Sequence, residues 1–88
     1  MGPLEGVRIV DLSIGQMGPS ATALLADMGA DVIKIESRHG DPGRGVELQP
    51  DGSSAFFMTH NRGKKSLTLN LRHPEGKDVT LRLAARAD

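Results

Sequence analysis

The sequence predicts an α/β fold built around a parallel β-α-β unit between residues 7 and 36. Residues 7–13 and 32–36 are short, apolar and rich in β-branched side chains, which is typical of buried parallel strands. Residues 21–28 between them are good helix formers with an apolar majority. Since a helical crossover makes the flanking strands parallel, with a right-handed connection, this unit predicts the fold class.

The boundaries inside this unit follow from its glycines and its proline. We expect the first strand to end near Ser13, because Gly15 and Gly18 follow it. Pro19 has the fixed φ of a first helical turn, and Gly29 provides a stop for the helix. Ligands bind beyond the carboxyl ends of parallel strands, so the turn after the first strand and residues 36–38 should lie together.

The remaining segments continue the alternation of strands and helices. Residues 37–53 are polar and glycine-rich and predict a long loop, and residues 54–60 predict a short helix. The apolar alternation over residues 67–71 marks a third strand, and Pro74 and Glu75 begin a C-terminal helix. This β-α-β-α order leads us to expect residues 1–88 to be the incomplete N-terminal part of a larger domain.

Composition excludes several classes of function. The 11 basic and 11 acidic residues cancel, so no bulk field favours nucleic acid or an anionic membrane. There is no cysteine, and the three histidines lack ligand spacing, so no metal site is expected. No stretch approaches the roughly 20 apolar residues of a membrane span, which makes the cytoplasm the expected location.

Three short stretches are candidates for binding an anion. The glycine turn before the first helix offers unpaired helix amides, and Gln16 adds a long polar side chain there. Arg38 and Arg44 lie in the long loop, and Lys64 and Lys65 lie at the entrance to the third strand. The alternative for each is structural: a glycine required by its backbone angles, or charges that are simply solvated.

Several motifs occur in series along nearly the whole chain. They are residues 3–13 with Gly18 and Pro19, residues 24–36, residues 40–42, residues 61–66 and residues 74–77. In this order they resemble the N-terminal region of family III CoA transferases. That family includes formyl-CoA transferase, carnitine CoA-transferase, succinyl-CoA-dependent transferases and the 2-methylacyl-CoA racemases.

The resemblance implies a fold, partners and contact residues. It implies that residues 1–88 begin a Rossmann-like CoA-binding large domain in an interlocked homodimer. It implies a CoA thioester and a carboxylic acid as substrates, with no tightly bound cofactor. Gln16 and Met17 would lie near the thioester. Asn61, Arg62, Gly63 and Lys64 would lie near the nucleotide, and the anion candidates Arg38 and Lys65 are further expected CoA contacts. Ser37 stands where the family often has the arginine of the adenine side, and Arg38 follows one place later.

The resemblance also implies a reaction. In transferase members an aspartate attacks the acyl-CoA, and a mixed anhydride and an aspartyl-CoA thioester follow. The alternative is a racemase, in which a histidine and an aspartate move the proton next to the thioester carbonyl. The matching residues in both cases come after Asp88, so we assign no catalytic residue here and expect this segment to be inactive alone. Gln16 is the candidate for an active-site loop residue.

Two further interpretations assign the chain to other classes of function. Glu36 falls 18 residues after Gly18, as a ribose-binding acid would in a dinucleotide fold. The turn, however, has Gly15-x-x-Gly18 rather than G-x-G-x-x-G, and Pro19 interrupts the amide cradle, so NAD binding is disfavoured. The other reading is a non-catalytic α/β scaffold, whose unpaired sheet edges and apolar face would favour self-association.

Overall fold

A computed structural model describes residues 2–88 as a three-stranded parallel sheet, in the order β1-β2-β3, with helices between the strands. The elements are β1 (Arg8–Asp11), α1 (Met17–Asp27), β2 (Asp31–Glu36), a 3₁₀ turn (Pro42–Gly45), α2 (Ala55–Asn61), β3 (Lys65–Thr68) and α3 (Pro74–Ala85). The predicted α/β class, with a parallel β-α-β unit, a third strand and a C-terminal helix, is confirmed.

The first strand ends at Asp11, two residues earlier than predicted. The Asp11 carboxylate accepts a hydrogen bond of 2.8 Å from the Ser13 amide, which turns the chain away from the sheet. Helix α1 then begins at Met17, and Pro19 lies in its first turn as predicted. Gly29 has φ 101° and follows the last helical turn, so its predicted role as the helix stop is confirmed.

The third strand begins and ends earlier than residues 67–71. Its last pair joins Thr68 to Glu36, the final residue of β2, and the Leu69 amide then donates to the Glu36 carbonyl at 2.9 Å. Because β2 ends there, Leu71 has no strand beside it to pair with. Helix α3 begins at Pro74, as predicted, and the side chain of its N-cap residue His73 accepts from the Glu75 amide at 3.1 Å.

The interior is small and contains charged side chains. The buried apolar residues are Ala23, Ala30, Val32 and Ile35, and the buried charged ones are Asp11, Lys34, Glu36 and Asp41. Every helix in residues 2–88 is too short or too polar to cross a membrane. The same residues contain no group of three potential metal ligands. The buried charges are the feature of this interior that requires an explanation.

Candidate functional site

Two adjoining cavities lie along the edge where the three parallel strands end. The first, of about 310 Å³, opens between the segments that follow β2 and β3. It is lined by Ser37, Arg38, His39, Leu69, Asn70, Leu71 and Arg72. The second, of about 380 Å³, opens between the segments that follow β1 and β2. The two share Ser37, His39 and Leu71, so they form a continuous row along this edge.

The first cavity is basic. Arg38 and Arg72 are exposed, and neither guanidinium forms an ion pair within residues 2–88. Four other arginines do pair with carboxylates: Arg8, Arg44, Arg62 and Arg82. Since an exposed guanidinium beside a cavity can bind a phosphate through two parallel hydrogen bonds, this cavity suits an anionic group.

The second cavity is largely apolar and leads to the turn before α1. Leu12 and Ile14 line it together with Glu36 and Ser37, so the prediction that the two segments lie together is confirmed. Leu12 and Ile14 are both more than half exposed. An apolar wall of this kind can cover an uncharged arm of a ligand whose anionic end lies in the neighbouring basic cavity.

The turn itself exposes Gln16 and Met17. Gln16 is the N-cap residue of α1, but its side chain makes no capping bond, and Met17 beside it is 88% exposed. At the base of the turn Gly18 packs against Ser13, where an added Cβ would lie 2.5 Å from the Ser13 Cβ. The turn is therefore closed tightly at its base while Gln16 and Met17 remain accessible.

A buried ion pair lies beneath this turn. The Lys64 ammonium contacts the Asp11 carboxylate at 2.9 Å, the Asn61 side-chain oxygen at 2.8 Å and the Pro19 carbonyl at 3.1 Å. The Lys64 and Asp11 side chains are each 2% exposed. Since an ammonium has three hydrogens to donate, these three acceptors satisfy Lys64 completely.

A second buried ion pair lies beside the first. Lys34 Nζ is 2.7 Å from Asp41 Oδ2, and both side chains are 1% exposed. The angle of this contact is not that of a hydrogen bond, so Asp41 Oδ2 is held to the ammonium by charge attraction. Lys34 also donates to the Ser13 carbonyl at 3.0 Å, so this lysine holds the other end of the same turn.

The carboxylate of the first pair is strongly stabilised. Burial raises the pKa of Asp11, but hydrogen bonds from Ser13, Lys64 and Thr22 outweigh burial and lower that pKa to about 2. Desolvation lowers the pKa of Lys64, and the Asp11 carboxylate offsets part of that effect. We take the charged pair as the resting state, because three acceptors surround the ammonium.

Glu36, at the end of β2, is occupied by the loop that follows it. Arg44 donates to both of its oxygens, at 2.8 and 2.7 Å, and the Asp41 amide donates at 2.9 Å. The hydrogen bonds from Arg44 lower the pKa of Glu36 to about 2, although its burial acts the other way. Ser66 also donates to it. This carboxylate is therefore not free to hold a ribose, which counts against the dinucleotide alternative.

The structure divides the predicted CoA contacts into three groups. Gln16, Met17 and Arg38 lie at the carboxyl edge of the sheet. Asn61 and Lys64 lie instead beneath the turn, at the buried ion pair with Asp11. Arg62 and Lys65 form surface ion pairs with Asp27 and Asp31, and Gly63 lies between Arg62 and Lys64 in the same turn. That these residues bind CoA stays a prediction.

Two features of the site were missed from the sequence. Arg72 directly follows residues 67–71, the predicted third strand, so the rule that ligands bind at the carboxyl edge could have identified it. Lys34 interrupts an apolar run in the central strand, and a charge there requires a buried partner. Nothing in the sequence pattern indicated that this partner is Asp41.

Comparison with known proteins identifies the relatives of this fold. A family profile described as CoA-transferase family III matches residues 4–88. The chain belongs to this family. It is 46% identical over 86 residues to the formyl-CoA:oxalate CoA-transferase of Streptomyces coelicolor, covering 97% of this chain and 21% of that protein. It is 43% identical over 94 residues to the succinyl-CoA:glutarate CoA-transferase of Mus musculus, covering 100% and 21%.

A solved family III structure has the same fold over this region. The CAIB/BAIF family protein from Brucella suis superimposes with a TM-score of 0.91 at 41% identity, over 99% of this chain and 24% of that one. The chain thus spans about a fifth of the length of the curated relatives it matches. It corresponds to the N-terminal segment of a family III CoA-transferase.

Proposed function

We propose that residues 1–88 form the N-terminal part of the CoA-binding domain of an acyl-CoA:carboxylate CoA-transferase. The observation that supports this proposal is the row of cavities at the carboxyl edge of the sheet. It begins at the exposed guanidiniums of Arg38 and Arg72 and ends at the turn that carries Gln16. CoA has a matching order of groups, since a phosphorylated nucleotide is joined through a long uncharged arm to a thioester.

Each part of the row suits one part of that ligand. The phosphates would lie at Arg38 and Arg72, where charge-assisted hydrogen bonds are available. The uncharged arm would lie against Leu12 and Ile14 in the apolar cavity. The thioester end would then reach the turn, where the Gln16 amide can donate to or accept from a substrate oxygen.

The transfer chemistry would depend on residues other than those of this segment. The aspartates of the β-α-β unit are engaged: Asp11 pairs with Lys64, Asp27 with Arg62, and Asp31 with Arg8 and Lys65. We therefore assign none of them as the nucleophile and expect the segment alone to catalyse no transfer. The relatives reported above carry transferase names, and no observation on this chain favours the racemase alternative.

We also propose a cytoplasmic location and an interlocked homodimer for the whole protein, on the basis of the family resemblance. Large apolar side chains are exposed on two helices of this segment, with Leu24 on α1 at 53% and Leu81 on α3 at 69%. Their exposure fits a segment that further protein covers.

The test is an amide NMR titration of the chain with CoA and, separately, with NAD. We expect CoA, but not NAD, to shift the amide resonances of Gln16, Arg38 and Arg72. Arg38→Ala and Arg72→Ala should each weaken CoA binding, whereas the control Arg82→Ala, on the surface of α3, should not. A well-dispersed spectrum that CoA leaves unchanged would overturn the proposal for this chain.

A further inference from the structure

The turn that carries Gln16 is held at both ends by buried ammonium groups. Lys34 donates to the carbonyl of Ser13 at 3.0 Å, and Lys64 donates to the carbonyl of Pro19 at 3.1 Å. Those two carbonyls bracket the exposed residues of the turn. Each ammonium is also paired with a buried aspartate. If either ammonium moved away, its aspartate would remain buried without a partner, which is unfavourable.

Further contacts connect Lys64 to the same turn. Asp11, its ion-pair partner, also accepts from the Ser13 amide at 2.8 Å and from Thr22 Oγ1 at 2.7 Å. Thr22 lies in α1, and its hydroxyl oxygen is 3.2 Å from the Pro19 carbonyl oxygen, so Asp11 is bonded to α1 beside the residue that Lys64 holds. The end of β1 and the first turn of α1 are thus joined through one carboxylate and one ammonium.

Lys64 has no donor left for a ligand. Its side chain is 2% exposed, and its three acceptors are Asp11, Asn61 and Pro19. A direct contact with a CoA phosphate would have to break one of these bonds and open the interior. Its neighbour Lys65 differs, because its side chain is 74% exposed and pairs with Asp31 on the surface.

We infer that Lys64, held by Asn61, is a positioning residue that fixes the Gln16 turn for the thioester end of CoA and does not bind the nucleotide. This inference rests on the proposed function and deepens it. It connects the turn between α2 and β3 with the turn between β1 and α1, two stretches that the family resemblance assigns to opposite ends of the ligand. Lys64 acts on the substrate only through the backbone at Pro19.

The test needs a folded variant that lacks this tether. Lys64→Met alone leaves the Asp11 charge buried without a partner. The double variant Asp11→Asn/Lys64→Met removes both charges, while the introduced side-chain amide retains an oxygen that accepts from Ser13. In this variant we expect the ¹⁵N order parameters of residues 15–18 to fall from about 0.85 to about 0.6. The matched control, Lys65→Met, should leave them unchanged.

Two ligands separate positioning from direct binding. The double variant should bind CoA about tenfold more weakly than the parent chain, from the loss of one charge-assisted tether, and should bind adenosine 3′,5′-bisphosphate equally well. Equal weakening for both ligands would make Lys64 a nucleotide ligand and overturn the inference. Unchanged order parameters in a folded double variant would also overturn it.

The same experiment distinguishes failure of this inference from failure of the proposed function. If the parent chain binds neither ligand, the proposed function fails for this chain. The order parameters still decide whether Lys64 fixes the turn, because they are measured without a ligand.

Discussion

Two pairs of basic side chains lie within one small domain and have opposite surroundings. Lys34 and Lys64 are buried, and each is paired with an aspartate beneath the turn before α1. Arg38 and Arg72 are exposed at the rim of a cavity and form no ion pair within residues 2–88. A basic residue in a family motif therefore need not be a ligand contact, because its charge can already be neutralised inside the fold.

This contrast assigns different consequences to the two pairs. Removing a buried, paired charge leaves its partner without compensation in a medium of low polarity, so stability should suffer most. Removing an exposed, unpaired charge costs little stability, and its effect should appear in ligand binding.

The largest effect should come from Lys64→Met as a single change. We expect a loss of about 3–5 kcal/mol in the free energy of unfolding, because the Asp11 carboxylate remains buried without its partner. Urea unfolding followed by circular dichroism measures this loss. Lys65→Met is the control and should cost under about 1 kcal/mol, since its ion pair is on the surface. Similar losses in the two variants would break the contrast between buried and exposed basic residues.

The second-largest effect should come from acid, which protonates the two buried carboxylates of Asp11 and Glu36. The pKa values of Asp11 and Glu36 are both about 2 in the folded chain, below their ordinary values of 3.8 and 4.5. A lowered pKa stabilises the fold above the ordinary value, and this contribution is lost as the pH falls from about 5 towards 2.

We expect Asp11 to contribute about 2 kcal/mol and Glu36 about 3 kcal/mol to the stability lost over that range. Urea midpoints measured at pH 7 and at pH 3 test this expectation. In Glu36→Gln the chain should be less stable at pH 7 and should depend less steeply on pH. A pH dependence as steep as that of the parent chain would exclude Glu36 as a source.

The exposed pair should affect binding without affecting stability. Arg38→Ala and Arg72→Ala should each weaken CoA binding about tenfold, which corresponds to one charge-assisted contact, and should change the free energy of unfolding by under about 0.5 kcal/mol. Calorimetric titration with CoA and urea unfolding provide the two measurements. A loss of stability with no loss of affinity would reverse the roles assigned to the two pairs.

The smallest effect should come from Arg62→Ala. Arg62 pairs with Asp27 at 2.7 Å, but both side chains are nearly half exposed. We expect a cost of under about 1 kcal/mol, because solvent screens a surface ion pair. If Arg62 binds CoA, as its motif predicts, its replacement should also weaken binding, and calorimetric titration of this variant would test that role.

Much of the fold was predictable because it depends on local signals. The apolar runs, the stop at Gly29 and the start of α3 at Pro74 are properties of neighbouring residues. The carboxyl edge follows from the parallel order of the strands, and it correctly places Gln16 and Arg38 there. The ends of β1 and β3 were misplaced, because they depend on a side-chain contact at Asp11 and on the length of the neighbouring strand.

The parallel β-α-β framework and the family of the chain were predictable from its sequence, since both depend on short motifs that follow one another in a fixed order. Which basic residues are buried depends on contacts between distant parts of the chain. Lys64 meets Asp11 across 53 positions of the chain, and Lys34 meets Asp41 only after the loop between them folds back. A lysine's place in a motif does not specify its partner. The packing of α1 on the sheet and of α2 on α1 does, because it excludes water and leaves each ammonium one carboxylate.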